Sequence, residues 1–304
     1  MNKNVLVIGD VMIDEYISGA VNRLSPEAPV PVVLVQKEFS VLGGAANVAN
    51  NLSALNVDCS LFGFKGKDDK ALLLNSLLKE AGIQDLTFEA NVSTITKTRI
   101  VAQQQQIVRI DREVTFNNPD LAVQECKKIL HRYGNGIVIV SDYGKGLCSE
   151  DFLETLIQQA QILNIKVFID PKGSNWKKYR NATLVKPNVK ELADIIGFTI
   201  NNEDSEIVKY GREIMNSYSI DYLLITRSEK GMTLLYKDEV LHIHSEAKDV
   251  YDVSGAGDTV IATLVLGLIE GKDIKDAVHL ANVAAGIVVG KFGTAAINRE
   301  ELGI

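Results

Sequence analysis

Short apolar runs that end abruptly in polar residues recur along this chain. Val5 to Ile8 runs into Gly9-Asp10, Ile137 to Val140 into Ser141-Asp142-Tyr143-Gly144-Lys145-Gly146, and Val167 to Ile169 into Asp170-Pro171-Lys172-Gly173. Thr183 to Val185 is followed by Lys186-Pro187-Asn188, and Tyr222 to Ile225 by Thr226-Arg227-Ser228-Glu229-Lys230-Gly231. Runs without polar alternation predict strands buried on both faces, as in a parallel sheet. Between them the spacing becomes helical. Asp68 to Ala81 carries Leu73, Leu74, Leu77 and Leu78 with Gly82 as C-cap, and Leu121 to Tyr133 and Glu150 to Leu163 follow the same logic. A last helix, Ile274 to Val289, is rich in Ala and Gly and should lie buried beside the helix that begins near Asp258. Cys59 to Phe64 reads as a further strand, and Met232 to Tyr236 with Val240 to His244 as a late hairpin. The pattern predicts an α/β fold whose polar strand ends gather where open sheets bind ligands.

Two stretches break the alternation. From Glu15 to Val35 the run Ser25-Pro26-Glu27-Ala28-Pro29-Val30-Pro31 forbids helix, and Val32 to Val35 favours extended chain. From Ile95 to Asp111, Thr96 to Arg99 and Ile107 to Asp111 read as strands flanking a tip at Gln103 to Gln106. These segments, about 13–38 and 92–113, predict a small β lid made from two separate parts of the chain. No repeat or linker divides residues 1–304, so a single domain is expected.

Composition narrows the function. The 304 residues are 46% hydrophobic and 23% charged, with a net charge of −7, so a basic footprint for nucleic acid is missing. Cys59, Cys126 and Cys148 are too scattered for a disulfide framework or a cysteine zinc site, which suits a reducing compartment. The apolar run at Val5 is too short for a signal peptide, and the one from Val260 to Ile269 is too short to cross a bilayer. A cytoplasmic protein with no membrane partner is the expectation.

Three motifs carry candidate chemistry. Asp252-Val253-Ser254-Gly255-Ala256-Gly257-Asp258-Thr259 precedes an apolar helix, and its glycines let backbone N–H groups approach an anion. Asp258 then either takes a proton from a hydroxyl attacking phosphorus or merely caps the helix. Gly43-Gly44-Ala45-Ala46-Asn47 opens another helix, with Asn47 facing a ligand or bonding locally. Asn188 and Glu191, three apart, either hold a hydrated Mg²⁺ or form a capping box. No Walker loop, GxGxxG or GxSxG is present, and His242-x-His244 lacks a third metal ligand.

Taken together and in this order, these motifs resemble those of the ribokinase-like (PfkB) carbohydrate kinases across nearly the whole chain. Arg23 to Pro31, Thr96 to Arg99, Gln105 to Asp111, Ser141 to Gly146 and Lys291-Phe292-Gly293-Thr294 resemble the heptose 7-phosphate kinase branch. That resemblance implies a ribokinase-like fold and ATP-dependent phosphorylation of D-glycero-D-manno-heptose 7-phosphate for lipopolysaccharide core assembly. A kinase for another sugar phosphate and a non-catalytic sensor are the alternatives. Many members are fused to a nucleotidyltransferase with an HxGH signature, which does not occur here, so only the kinase half is expected.

The resemblance also implies roles. Asp258 would be the base, with Gly255, Ala256 and Gly257 cradling the transferred phosphoryl group. Asp14, Gly43, Gly44, Asn47 and Asp142 would hold the sugar, and Lys97, Arg99 and Arg109 its distal phosphate, with Arg23 a further candidate. Lys186, Asn188, Glu191, Thr226, Arg227, Ser228, Gly231, Gly255, Gly257 and Asn282 would line ATP. Asn188 and Glu191 would organise Mg²⁺ through water, and Asp252 a monovalent cation such as K⁺. A homodimer through the β lid is implied as well. The helix N-terminus should lower the pKa of Asp258. Met12 stands where ribose kinases carry a polar residue, which counts against ribose.

Overall fold

Strands Val5–Gly9 and Ile137–Ser141 bury every side chain and pair in parallel, as their unbroken apolar character requires. A computed structural model describes residues 4–103, 105–247, 249–291 and 293–304 of the chain. Gln104 of the glutamine run and Phe292 of the Lys291 motif therefore lie outside the described residues, as do Met1, Asn2 and Lys3.

The two strands sit near the middle of a nine-stranded sheet. From one edge the order is Glu239–Ile243, Met232–Tyr236, Tyr222–Thr226, Leu184–Val185, Lys166–Asp170, Ile137–Ser141, Val5–Gly9, Cys59–Phe62 and Gln84–Asp85. Pairing is parallel except at the expected late hairpin, where Met232–Tyr236 runs antiparallel to both neighbours. Successive residues point to opposite faces, so Val5 and Val7 join one core and Leu6 and Ile8 the other. The first core includes helices Ala45–Ala54, Ala256–Ile269 and Ile274–Val288, and the second includes helices Pro119–Leu130 and Glu150–Ile162. The last two helices of the chain pack closely: a Cβ placed at Gly267 would come within 2.9 Å of Ala277 Cβ. This is the burial expected from their small residues.

The second sheet has four strands in the order Pro31–Gly44, Val11–Leu24, Ile95–Ala102, Gln105–Arg112. Its two halves join through a parallel pairing that sets Asp14 beside Lys97 and Tyr16 beside Arg99. The first ribbon is longer than the composition shift suggests, because strand Val11–Leu24 leaves the main sheet after only Asp10 and strand Pro31–Gly44 returns to the helix at Ala45.

Other differences are local. The predicted strand Cys59 to Phe64 breaks at Gly63, where a Cβ would lie 2.5 Å from Val11 Cγ2 and 2.6 Å from Gly9 O. Helix Asp204–Tyr218 adds to the predicted elements, with Ile207, Gly211, Ile214 and Met215 as its buried stripe at helical spacing. Among the described residues no helix is long and apolar enough to cross a membrane.

Candidate active site

Gly255 is the N-cap of helix Ala256–Ile269 and adopts φ 79°, a left-handed conformation that glycine takes without strain. The tight turn brings Asp258, in the first helical turn, into a buried position at the cleft wall. Its carboxylate does not serve as the N-cap. Asn47 Nδ2 donates to Oδ2 at 2.7 Å, and the Tyr143 hydroxyl donates to Oδ1 and Oδ2 at 3.1 and 3.3 Å. Of the two readings of this residue, the helix cap is not the one the geometry shows, since Gly255 is the N-cap.

Burial, followed by the negative charge of Asp170, pushes the Asp258 carboxyl up to about 7, against the opposing effects of Asn47, Lys186 and Tyr143. The expectation that the helix N-terminus would lower it is corrected here. Removing the carboxylate from water outweighs the partial charge of one helix end.

Asp258 lies in a cleft of about 660 Å³. Lys186, Asn188, Glu191, Thr226, Ser228, Gly231, Gly255, Ala256, Gly257 and Asn282 line it, all of them expected site residues. Lys186 Nζ pairs with Asp170 at 3.0 Å, and a Cβ at Gly257 would stand 3.1 Å from that ammonium. The helix N-terminus and a lysine thus face the same space, a suitable environment for an anion. A wider groove of about 870 Å³ beside helix Val189–Ile196 includes none of the buried carboxylates.

Asn188 and Glu191 form the full capping box. Glu191 N–H donates to Asn188 Oδ1 at 2.8 Å, and Asn188 N–H to Glu191 Oε2 at 3.0 Å. Both still border the cleft, and burial together with Asp170 raises the Glu191 carboxyl. Asn282 Nδ2 is tied to the His244 carbonyl at 2.8 Å. The Asp252 carboxylate accepts from the N–H groups of Ser254 and Gly293 at 2.9 and 3.0 Å. Among the described residues no three His, Cys, Asp or Glu side chains converge to cage a metal.

Arg227 departs from the expected set. Its guanidinium is 2% exposed and bonded to Asn202, Asp204 and Thr233, so it ties the start of helix Asp204–Tyr218 to strand Met232–Tyr236 and does not line the cleft. Asp142 also borders the cleft, and Gly144 N–H, Lys178 Nζ and Tyr179 Oη donate to its carboxylate at 2.7, 2.5 and 2.7 Å.

On the lid side, Asp14 is buried and takes a 2.5 Å hydrogen bond from Arg99. Gly43 makes room for it, since a Cβ there would stand 2.5 Å from Asp14 Oδ2. Gly44, at φ 56°, turns the chain into the helix that carries Asn47. Lys97 pairs with Glu113 at 3.3 Å, and Arg109, which faces Arg99 across the strands, pairs with Asp111 at 2.8 Å. Arg23 lies nine positions beyond Asp14 on the same strand, roughly 30 Å away at the usual rise per residue.

Three contributors were quoted in motifs without a role: Tyr143, Asp170 and Asp10. Asn51 was also missed. It accepts from Thr259 Oγ1 at 2.9 Å and donates to the Asn47 carbonyl at 2.9 Å. The signal for it was the second amide one helical turn after Asn47.

Residues 2–301 match the model of the pfkB family of carbohydrate kinases. The chain belongs to that family. It is 47% identical over 302 residues to the bifunctional protein HldE of Pasteurella multocida, covering 98% of this chain and 62% of that protein. The chain therefore spans less than two thirds of the curated relatives that it matches. Two solved structures share the fold. Escherichia coli phosphofructokinase-2 in complex with potassium has a TM-score of 0.83 at 19% identity, covering 99% of this chain and 96% of that one. Arabidopsis thaliana ribokinase complexed with ribose and ATP has a TM-score of 0.77 at 18% identity, covering 99% and 98%. The architecture is thus the ribokinase-like one anticipated from the motifs, and family membership makes this a sugar kinase, a phosphotransferase with an alcohol acceptor.

Proposed function

We propose that the chain transfers the γ-phosphoryl group of ATP to the anomeric hydroxyl of D-glycero-D-manno-heptose 7-phosphate. The product is the 1,7-bisphosphate, on the route to ADP-heptose and the lipopolysaccharide core. The observation that carries the catalytic part is Asp258, a buried carboxylate raised to about 7, standing at the N-terminus of a helix that lines the cleft. The heptose assignment draws on the lid motifs and on the 47% identity to the HldE protein.

In this reading the sugar lies between Asp14 and Asn47, and Asp258 accepts the hydroxyl proton as the oxygen bonds to phosphorus. The bond to the β,γ-bridging oxygen breaks and its electron pair leaves with ADP. Backbone N–H groups at Gly255, Ala256 and Gly257 and the Lys186 ammonium stabilise charge on the moving phosphoryl group. The lid keeps water from competing for it.

Mg²⁺, when bound with ATP, would neutralise phosphate charge. Glu191, a desolvated acid facing the negative Asp170, suits such a cation, with Asn188 beside it acting through water. Asp252, whose carboxylate meets the Gly293 N–H, is the proposed K⁺ contact, a reading in keeping with the potassium in phosphofructokinase-2. We read residues 1–304 as one kinase domain working in the cytoplasm, paired into a homodimer through the lid. That pairing is supported by one apolar face of the lid, where Val35 is 46% and Ile110 49% exposed.

The test is ADP release across a panel of sugar phosphates, with phosphorus NMR of the product. Heptose 7-phosphate should give the highest kcat/KM and a second, anomeric phosphate resonance. Faster turnover of a hexose phosphate would assign the chain to another sugar, and ADP release from none of them would leave the sensor reading.

A further inference from the structure

Asp10 is a buried carboxylate with no direct part in the chemistry above. It is 0% exposed, and among the described residues no cation pairs with it. Instead it accepts three backbone hydrogen bonds from one loop, from the N–H groups of Tyr143 and Lys145 at 2.9 Å and of Leu147 at 3.3 Å. Burying a carboxylate is costly unless donors satisfy it, and an ionised carboxylate accepts without donating. Three converging N–H groups match that requirement, against the burial that raises the Asp10 carboxyl to about 6, and an amide in its place would turn one of its two acceptor atoms into a donor.

The loop has little room to take another path. A Cβ at Gly146 would lie 2.1 Å from the Phe116 carbonyl oxygen. Its first gripped residue, Tyr143, is the one whose hydroxyl reaches both oxygens of Asp258. Asn47 already takes Oδ2 at 2.7 Å, and the longer, shared bond from Tyr143 leaves Oδ1 the more available oxygen.

We propose that Asp10 and Tyr143 are positioning residues for the base: Asp10 fixes the 143–147 backbone, and Tyr143 thereby holds the Asp258 carboxylate with Oδ1 turned toward the sugar hydroxyl. The inference rests on the reading of Asp258 as the proton acceptor. Other charged groups facing Asp258 are Asp170, from the end of strand Lys166–Asp170, and Lys186, after strand Leu184–Val185. Asp14 and Asp170 also face the Tyr143 hydroxyl. A phenol donor favours the charged form of Asp258, so its removal has a direction that simple loosening of the fold does not share.

The experiment uses the full chain and compares wild type, Tyr143→Phe, Asp10→Asn and the double variant. The readouts are kcat, KM for each substrate, the pH profile of kcat/KM for the sugar, and Tm. Tyr143→Phe keeps the ring and should lower kcat by about 10- to 100-fold, the range for losing a hydrogen bond to a charged group. KM for ATP should hold, and the acid limb should move to higher pH. Asp10→Asn should move the limb in the same direction, and the double variant should lose little beyond the worse single one, because both act on one contact. If Asp10→Asn melts below the assay temperature, Asp10→Ser replaces it. An unchanged kcat and acid limb in Tyr143→Phe would overturn the proposal, as would additive losses in the double variant. A wild type that turns over no sugar phosphate would instead overturn the kinase reading beneath it.

Discussion

Asn47 and Asp258, 211 positions apart in the chain, are joined by a 2.7 Å hydrogen bond from Asn47 Nδ2 to Asp258 Oδ2. The contact ties the helix that follows the lid strands to the helix that opens at Gly255, and so connects the proposed sugar side of the site to the proposed phosphoryl side.

The pH dependence follows directly. Because the Asp258 carboxyl is held up at about 7, it is mostly protonated below that value and, as the proposed base, should then be inactive. In the free enzyme, kcat/KM for the sugar should fall about tenfold per pH unit on the acid side of this point. A flat profile between about pH 5 and 8 would remove Asp258 as the titrating base.

Asp258→Asn should lower turnover by roughly 10² to 10⁴, as loss of a general base does, while nucleotide binding persists. The same variant should be the more stable protein at high pH. The folded carboxyl, near 7, binds its proton more tightly than the unfolded one at 3.8. Wild-type stability therefore drops as pH rises through that window. Melting curves should show the variant ahead at about pH 8, with the gap closing by about pH 4. A constant gap across that range would mean that Asp258 burial carries no titration cost.

Gly43→Ala would place a Cβ 2.5 Å from Asp14 Oδ2 and 2.9 Å from its Cγ, displacing the carboxylate that pairs with Arg99. Steady-state kinetics should show a sugar KM raised about tenfold or more, as for loss of a charge-assisted contact, and an ATP KM near that of wild type. An unaltered sugar KM would take Asp14 out of the sugar site.

For the distal phosphate, the register places Lys97 and Arg99 nearest Asp14, Arg109 one strand further, and Arg23 far along the ribbon. Alanine at Lys97 or Arg99 should raise KM for heptose 7-phosphate by about 10- to 100-fold, with smaller effects at Arg109 and Arg23. The unphosphorylated heptose should be a poor substrate that is indifferent to these changes. Equal use of both sugars by wild type would rule out a phosphate clamp.

On the lid, Val108 and Ile110 alternate with the charged Arg109 and Asp111 and are about half exposed. Val108→Asp with Ile110→Asp should convert a dimer to a monomer in light scattering, because two charges cannot stay buried unpaired in an interface. A wild-type monomer at micromolar concentration would exclude the lid pairing.

The parallel sheet is legible in the sequence because burial on both faces leaves no polar alternation in Val5 to Ile8 or Ile137 to Val140. The glycines at 43, 44, 255 and 257 are legible too, since close backbone approach needs them locally, and with Asn47 and Asp258 they carry the family resemblance. What lies beyond local pattern was decided in three dimensions. Arg227 looks like its neighbours in Thr226 to Gly231, yet Asn202 and Asp204, supplied by a distant segment, bind its guanidinium, and it does not line the cleft. Lys178 and Tyr179, which donate to the Asp142 carboxylate at the cleft edge, are likewise brought there only by the fold. The pKa of Asp258 depends on Asp170, brought near by strand order, and on burial, which outweigh the helix end that the sequence does reveal. Charge partners and desolvation are properties of what packs around a residue, and packing across the sheet has no signature in the spacing along the chain.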